Sequence, residues 1–173
     1  MYPFLRVFYT QQRAKSRTKL DLYDVGVLPA SVHLSDLDPY AEMNNARYLH
    51  VMEMGRLDFS VRMGLIKVMR KNNWGFTVAG CSIRYRKRLT AMQKFEVHTS
   101  VAGIDDRWLF VEQDIFRDGV QHTGALFRTA VISKQGLVPT KKIFEEMGLI
   151  WEPKMPDWVF EWDKSDQRRP WSI

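Results

Sequence analysis

DLDPYAEMNNARYL, residues 36–49, is the stretch from which the fold of this chain can be read. Asp36 and Asp38 stand one residue apart after Val32-His33-Leu34-Ser35, a run that reads as a short strand with alternating faces. The Asp38-Pro39 step ends that strand, since proline restricts the residue before it and brings no N–H to a ladder. Glu42 adds a third carboxylate. Asn44 and Asn45 then sit where a long helical pattern begins, and either amide can cap the free N–H groups of the first turn. Ionisable oxygen is thereby set beside the positive end of a helix. That suits chemistry in which an acyl carbonyl becomes an oxyanion.

Working outward, Asn45 to about Val68 reads as one helix. Tyr48, Met52, Gly55, Phe59 and Met63 recur every three or four residues and share a narrow arc. Val51, Met54, Leu57 and Val61 lie elsewhere on the wheel, so other structure must wrap this helix. Lys67, Arg70 and Lys71 suit its C-terminal end. After Asn72-Asn73 the period becomes two. Thr77, Ala79, Cys81, Ile83 and Tyr85 would share one strand face, and Phe95, Val97, Thr99 and Val101 another. A third strand, 108–116, meets a fourth, 120–133, across Arg117-Asp118-Gly119, a strong hairpin signal. Pro139-Thr140 opens a short helix that Gly148 closes. This order predicts an α+β fold, an antiparallel meander with the long helix in its concave face.

With 173 residues, 45% of them hydrophobic and 27% charged, the chain has the composition of one globular domain rather than a disordered segment. We divide it into an aromatic and basic arm (1–24), the domain (25–150) and a Trp-rich tail (151–173) expected to pack on the domain. The net charge of +6 favours an anionic partner. Arg84, Arg86, Lys87 and Arg88 form the densest basic cluster, with Tyr85 among them, and could hold phosphates beside an aromatic ring. No nucleic-acid-binding motif accompanies them, so nucleic acid is not expected. The arm, with Arg13, Lys15, Arg17 and Lys19 after its aromatics, either packs on the protein or makes peripheral contact with a membrane through residues 1–19. A single cysteine, Cys81, excludes an internal disulfide and reads as a small buried hydrophobe, which fits a cytoplasmic setting. His33, His50, His98 and His122 lack metal-ligand spacing, and no serine-hydrolase elbow is present.

Asp36, Asp38, Met43, Asn44, Asn45 and Tyr48 resemble the signature D-x-D-x-x-G-H-[VM]-N-N-x-x-Y of the 4-hydroxybenzoyl-CoA thioesterase-like family. Arg47-Tyr48-Leu49, residues 55–58, Ile83-Arg84-Tyr85-Arg86, Gly119 and Val138-Pro139 are similar to its subgroup related to thioesterase superfamily member six. The resemblance implies a hot-dog fold and a thioesterase acting on acyl-CoA or an acyl carrier protein, as a homodimer or tetramer. No cofactor is implied beyond coenzyme A as part of the substrate. Asp38 would be nucleophile or general base, although an Asp before proline is also a common turn former. The Asn45 N–H would be the oxyanion donor. Asn44, Tyr48, Met52, Phe59, Tyr85, Arg84, Arg86 and Arg88 would meet the substrate. The family's Gly-His is Ala41-Glu42 here, so Glu42 would replace a group of pKa about 6.5 with one of about 4.3. Non-hydrolytic binding of an acyl or lipid ligand is the alternative that this replacement leaves open.

Overall fold

The computed structural model of this protein describes residues 4–170. Helix α1 (Phe4–Lys15) precedes strand β1 (Gly26–Ser31), and α2 (Asn45–Arg62) and α3 (Leu65–Asn72) follow. Strands β2 (Gly75–Tyr85), β3 (Lys94–Ile104), β4 (Leu109–Arg117), β5 (Val120–Ser133) and β6 (Gly136–Leu137) come next, then helices α4 (Thr140–Met147) and α5 (Asp157–Gln167). The strands form one antiparallel sheet in the order β1-β3-β4-β5-β2, with β6 paired to the end of β5. Its concave face wraps α2, as the α+β hot-dog reading expects. Tyr48, Val51 and Met52 interdigitate with Val97, Val111, Ile115 and Phe127 from the three middle strands. The expected hairpin joins β4 to β5, Asp118 and Gly119 having φ of 50° and 74°, the two positive values a tight primed turn requires.

The helix approaches the sheet most closely at Gly55. A Cβ there would lie 2.8 Å from both Gln113 Nε2 and Val97 Cγ1. Gln113 uses that proximity, its Nε2 donating to the Met52 carbonyl at 2.9 Å and to Thr99 Oγ1 at 2.8 Å. Arg56 donates to Gln113 Oε1 at 2.6 Å, and its guanidinium lies 4.0 Å from the centroid of the Phe127 ring. Burial lowers the Arg56 pKa to about 10.

Five local expectations are corrected. The first strand is Gly26–Ser31 rather than 32–35: Pro29 is tolerated on this edge strand, while the backbone N–H of His33 donates to Asp36 Oδ2 at 3.0 Å and closes Leu34–Asp36 into a 3-10 turn. The helix read as continuous from 45 to 68 breaks at Gly64, whose φ of 84° ends α2 and redirects the chain into α3. The meander covers only β3, β4 and β5, because β2 pairs with β5 instead of β3. Residues 86–93 cross the N-terminal end of α2 to join them, tied by Met43 N–H to the Leu89 carbonyl (2.8 Å) and Val32 N–H to the Gln93 carbonyl (3.0 Å). Finally, β2 carries an irregularity between Val78 and Gly80. Phe76 and Val78 therefore pair with core-facing Val131 and Thr129 before it, and Cys81 and Ile83 with Phe127 and Ala125 after it, so Thr77 and Ala79 do not share the Cys81 face. Cys81 is exposed rather than buried, because β2 is an edge strand.

The arm and tail both dock. Ala14 of α1 is buried, and Arg6 and Arg17 reach Asp36 and Asp58 at 3.2 and 2.8 Å. Helix α5 covers the convex face, where Val159 is buried, Trp162 meets Phe110 edge-on, and Arg128 pairs with Asp163 and Asp166 at 2.6 and 2.8 Å. Trp151 donates to Thr140 Oγ1, Trp158 stays half exposed, and Trp171 lies outside the described residues. No helix among the described residues is long and apolar enough to cross a membrane.

Candidate active site

Asp38 sits in a tight turn rather than a strand. Its Oδ1 accepts the N–H groups of Tyr40 at 2.9 Å and Glu42 at 3.3 Å, and its backbone N–H donates to the Glu42 carbonyl at 2.8 Å. The turn-forming use of this Asp is thus present in the geometry. Its second oxygen has no hydrogen-bond partner among the described residues, so the turn does not consume the carboxylate. Ala41, where the family has glycine, takes a left-handed φ of 59°.

The turn leads straight into α2. Asn44 is the cap, its side-chain oxygen accepting the Ala46 N–H at 2.9 Å. Asn45 is the first helical residue, and its N–H has no acceptor among the described residues. It points out of a helix of 18 residues at the end where the backbone dipoles sum to positive. The Asn45 carbonyl accepts the Tyr85 hydroxyl at 3.4 Å.

The crossover 86–93 forms the opposite wall. Arg88 pairs with Glu42 at 2.7 Å, and Glu42 bridges to Thr90. Tyr48 is buried, and its hydroxyl accepts the Leu89 N–H at 3.1 Å; its ring meets Tyr85 edge-on at 5.2 Å. Burial raises the pKa of both tyrosines, so both are neutral at pH 7. Asp36 stands behind the turn with 1% exposure, gripped by Arg6 and within 3.8 Å of Arg47. Its geometry is that of an anchor between α1, the 3-10 turn and α2.

The expected substrate residues divide into separate groups. Asp38, Glu42, Asn44, Asn45, Tyr48, Tyr85 and Arg88 come together at the front of α2, and Arg86 lies on the same crossover, its N–H on the His122 carbonyl at 2.8 Å. Arg84 does not join them. Strand alternation puts it on the convex face, in a cleft of about 330 Å³ with Glu112, Asp114, Trp158 and Trp162. Burial raises the pKa of both those carboxyls. Met52 is wholly enclosed in the core, while Phe59 and Met63 line an apolar cavity of about 30 Å³ bounded also by Phe76 and Phe144. That cavity is about the size of one water, far below the roughly 300 Å³ of a small ligand site. Leu89 and the Gln113–Arg56 pair escaped the sequence reading, since nothing in a linear pattern marks a crossover or a buried amide. Among the described residues no cluster of three His, Cys, Asp or Glu could hold a metal.

Residues 32–162 match the model of the thioesterase-like superfamily. The protein THEM6 of Xenopus laevis is 30% identical over 133 residues, covering 75% of this chain and 62% of the relative, so the match leaves over a third of that protein unspanned. Among solved structures, the gentisyl-coenzyme A thioesterase BH1999 superposes with a TM-score of 0.62 at 15% identity, over 69% of this chain and 98% of its own. SAV2348 of Staphylococcus aureus, solved in complex with CoA, gives 0.63 at 12% identity, over 90% of this chain and 99% of its own. Sheet, central helix and motif agree with the family match, and the chain belongs to the thioesterase-like superfamily.

Proposed function

We propose that this protein hydrolyses an acyl-CoA or acyl-carrier-protein thioester to a free acid and a thiol. The observation that carries the reading is the open Asn45 N–H at the head of α2, next in the chain to a turn whose Asp38 keeps one free carboxylate oxygen. As general base, Asp38 takes a proton from water, the hydroxide adds to the thioester carbonyl, and the oxyanion accepts from Asn45. Collapse of the adduct expels the thiolate, which takes up a proton. As nucleophile, an Asp38 oxygen adds to the thioester carbonyl and the C–S bond breaks to release the thiolate, leaving a mixed anhydride that water cleaves to the free acid and the restored Asp38 carboxylate. Arg86 and Arg88 supply cations for the phosphates of coenzyme A, and Tyr85 an aromatic edge. Glu42 shares Arg88 in the free protein and would yield it to an anionic substrate. No resident cofactor enters this scheme, and SAV2348 with its bound CoA supports the substrate class by analogy of fold. A panel of acyl-CoA thioesters with a thiol-reporting dye tests it; background rates throughout would exclude the hydrolase.

The working form in this reading is a homodimer, or a tetramer built from dimers. Among the described residues strand β2 has no partner on its outer edge, and it leaves Val78, Cys81 and Tyr85 exposed along it. Pairing two β2 strands would cover that edge and place the partner beside Tyr85. The acyl chain would then lie in a slot completed by the partner, since the cavity at Phe59 is too small for it.

A cytoplasmic protein with peripheral membrane contact is the second reading, and one observation favours it. Helix α1 exposes Phe4, Leu5, Phe8 and Tyr9 while Arg13 and Lys15 end it. Binding of an acyl or lipid ligand without hydrolysis would fit such a placement. Co-sedimentation with anionic vesicles, lost in a Leu5→Ser/Phe8→Ser protein, would support the contact; equal and negligible binding by both proteins would remove it.

A further inference from the structure

Between α1 and the surface formed by α2 and β1 runs a groove of about 610 Å³, within the range of small-molecule sites. None of Asp38, Glu42 or Asn45 lines it. Its floor is apolar, made by Leu28 of β1 and by Val51 and Met54 of α2. Its walls carry three arginines, Arg6, Arg13 and Arg17, against one carboxylate, Asp58. Two of those cations are occupied: Arg6 is held by Asp36, and Arg17 by Asp58 and the Val27 carbonyl. Arg13 is exposed, and its guanidinium makes no hydrogen bond or ion pair among the described residues. A free cation thus stands over an apolar trough.

His50 adds an independent sign. Its side chain is only 10% exposed, it lines the same groove, and its Nε2 is buried with no hydrogen-bond partner among the described residues. Leaving a buried polar atom unpaired is unfavourable, so such atoms mark places where a ligand or water completes the bonding. Its Nδ1 lies 3.8 Å from Glu53, and Arg6, Arg47 and Asp36 also face the ring.

We propose that this groove binds an anionic amphiphile, one acyl chain ending in a carboxylate or phosphate. The chain lies along Leu28, Val51 and Met54, and the head group takes the free guanidinium of Arg13. The excess of cation selects the charge and the floor selects the chain. This site is separate from the front of α2 and stands whether or not the thioesterase reading holds.

Calorimetric titration of the whole protein with dodecanoate, dodecyl phosphate and dodecanol, each below its micelle concentration, tests the proposal. Both anions should bind, with dodecanol weaker by about tenfold or more, and Arg13→Gln should cost the anions a similar factor while leaving dodecanol unchanged. Arg13 is exposed on a helix surface, so that variant should keep its circular dichroism. The imidazole resonances of His50 should move on addition of dodecanoate, and Asp38→Asn should bind like the parent protein. A preference for dodecyl phosphate would assign the head group as phosphate, and a preference for dodecanoate as carboxylate. Equal binding of all three probes, no binding of any, no effect of Arg13→Gln, an unmoved His50, or binding lost in Asp38→Asn would each overturn it.

Discussion

At the scale of single residues, the two aspartates of the motif differ in what holds them. Asp38 keeps its turn through one oxygen accepting two N–H groups, and asparagine retains an oxygen acceptor of the same reach. Asp38→Asn should therefore stay folded and lose turnover by ~10²–10⁴-fold, the usual contribution of one general base. Asp36 is buried, with Arg6 and Arg47 about a third exposed on their outer sides. Asp36→Asn should cost ~1–3 kcal/mol, less than a fully buried pair would, and lower the thermal midpoint by ~2–4 °C per kcal/mol. Glu42→Gln loses only an exposed pair with Arg88, so its stability should change by under ~1 kcal/mol while turnover falls part of the way. Turnover measured beside thermal midpoint for the three proteins separates these roles. If Asp38→Asn keeps its full rate, the carboxylate serves the turn alone. At Ala41 the left-handed φ strains a side chain that glycine would spare. Ala41→Gly should stabilise by ~0.5–1 kcal/mol after the gain in unfolded-chain entropy is set against it, a rise of ~1–4 °C by calorimetry.

At the scale of elements, the site depends on how near α2 lies to the sheet and on what crosses its end. Gly55 sets the first. Its missing Cβ lets Gln113 reach the Met52 carbonyl, and a methyl group there meets two atoms at 2.8 Å, Val97 Cγ1 and the Gln113 Nε2 that two hydrogen bonds hold in place. Gly55→Ala should cost ~1–3 kcal/mol through overpacking, despite the better helix propensity of alanine, which is worth ~1 kcal/mol the other way. Urea unfolding measures it; an alanine variant as stable as the parent would show that the sheet can yield. The crossover 86–93 sets the second, since it carries Arg86 and Arg88 to Glu42 and seats Leu89 on the Tyr48 hydroxyl.

For the whole molecule, the sheet has two ends of unlike character. β1 is short and contains Pro29, whereas β2 runs for 11 residues with an open edge. We expect light scattering at micromolar concentration to give the mass of a dimer or tetramer, and Val78→Lys to shift it toward monomer, because an edge lysine opposes strand pairing. Val78 is 42% exposed, so the fold should survive. If the partner completes the site, turnover should fall with mass. A stable monomer of the parent protein would refute both pairing and shared site.

Much of the fold was legible from local pattern, because local energetics determines it. The Asp-Gly hairpin, the asparagine cap, the arc Tyr48-Met52-Gly55-Phe59 and the closing Gly148 all depend on residues within a few positions of one another. The front of the candidate site was legible for the same reason, its turn and cap being continuous in the chain from Asp38 to Asn45. What the tertiary structure alone decided is the long-range part. Placing β2 beside β5 sent residues 86–93 across the end of α2, so Arg88 joined Glu42, while strand alternation put Arg84 on the far face. The irregularity after Val78 moved Cys81 onto the helix-facing side of an open edge, and the docking of α1 on α2 created the groove around Arg13 and His50. Pairing partners and docked faces depend on curvature and packing summed over the whole sheet, and no window of neighbouring residues contains those quantities.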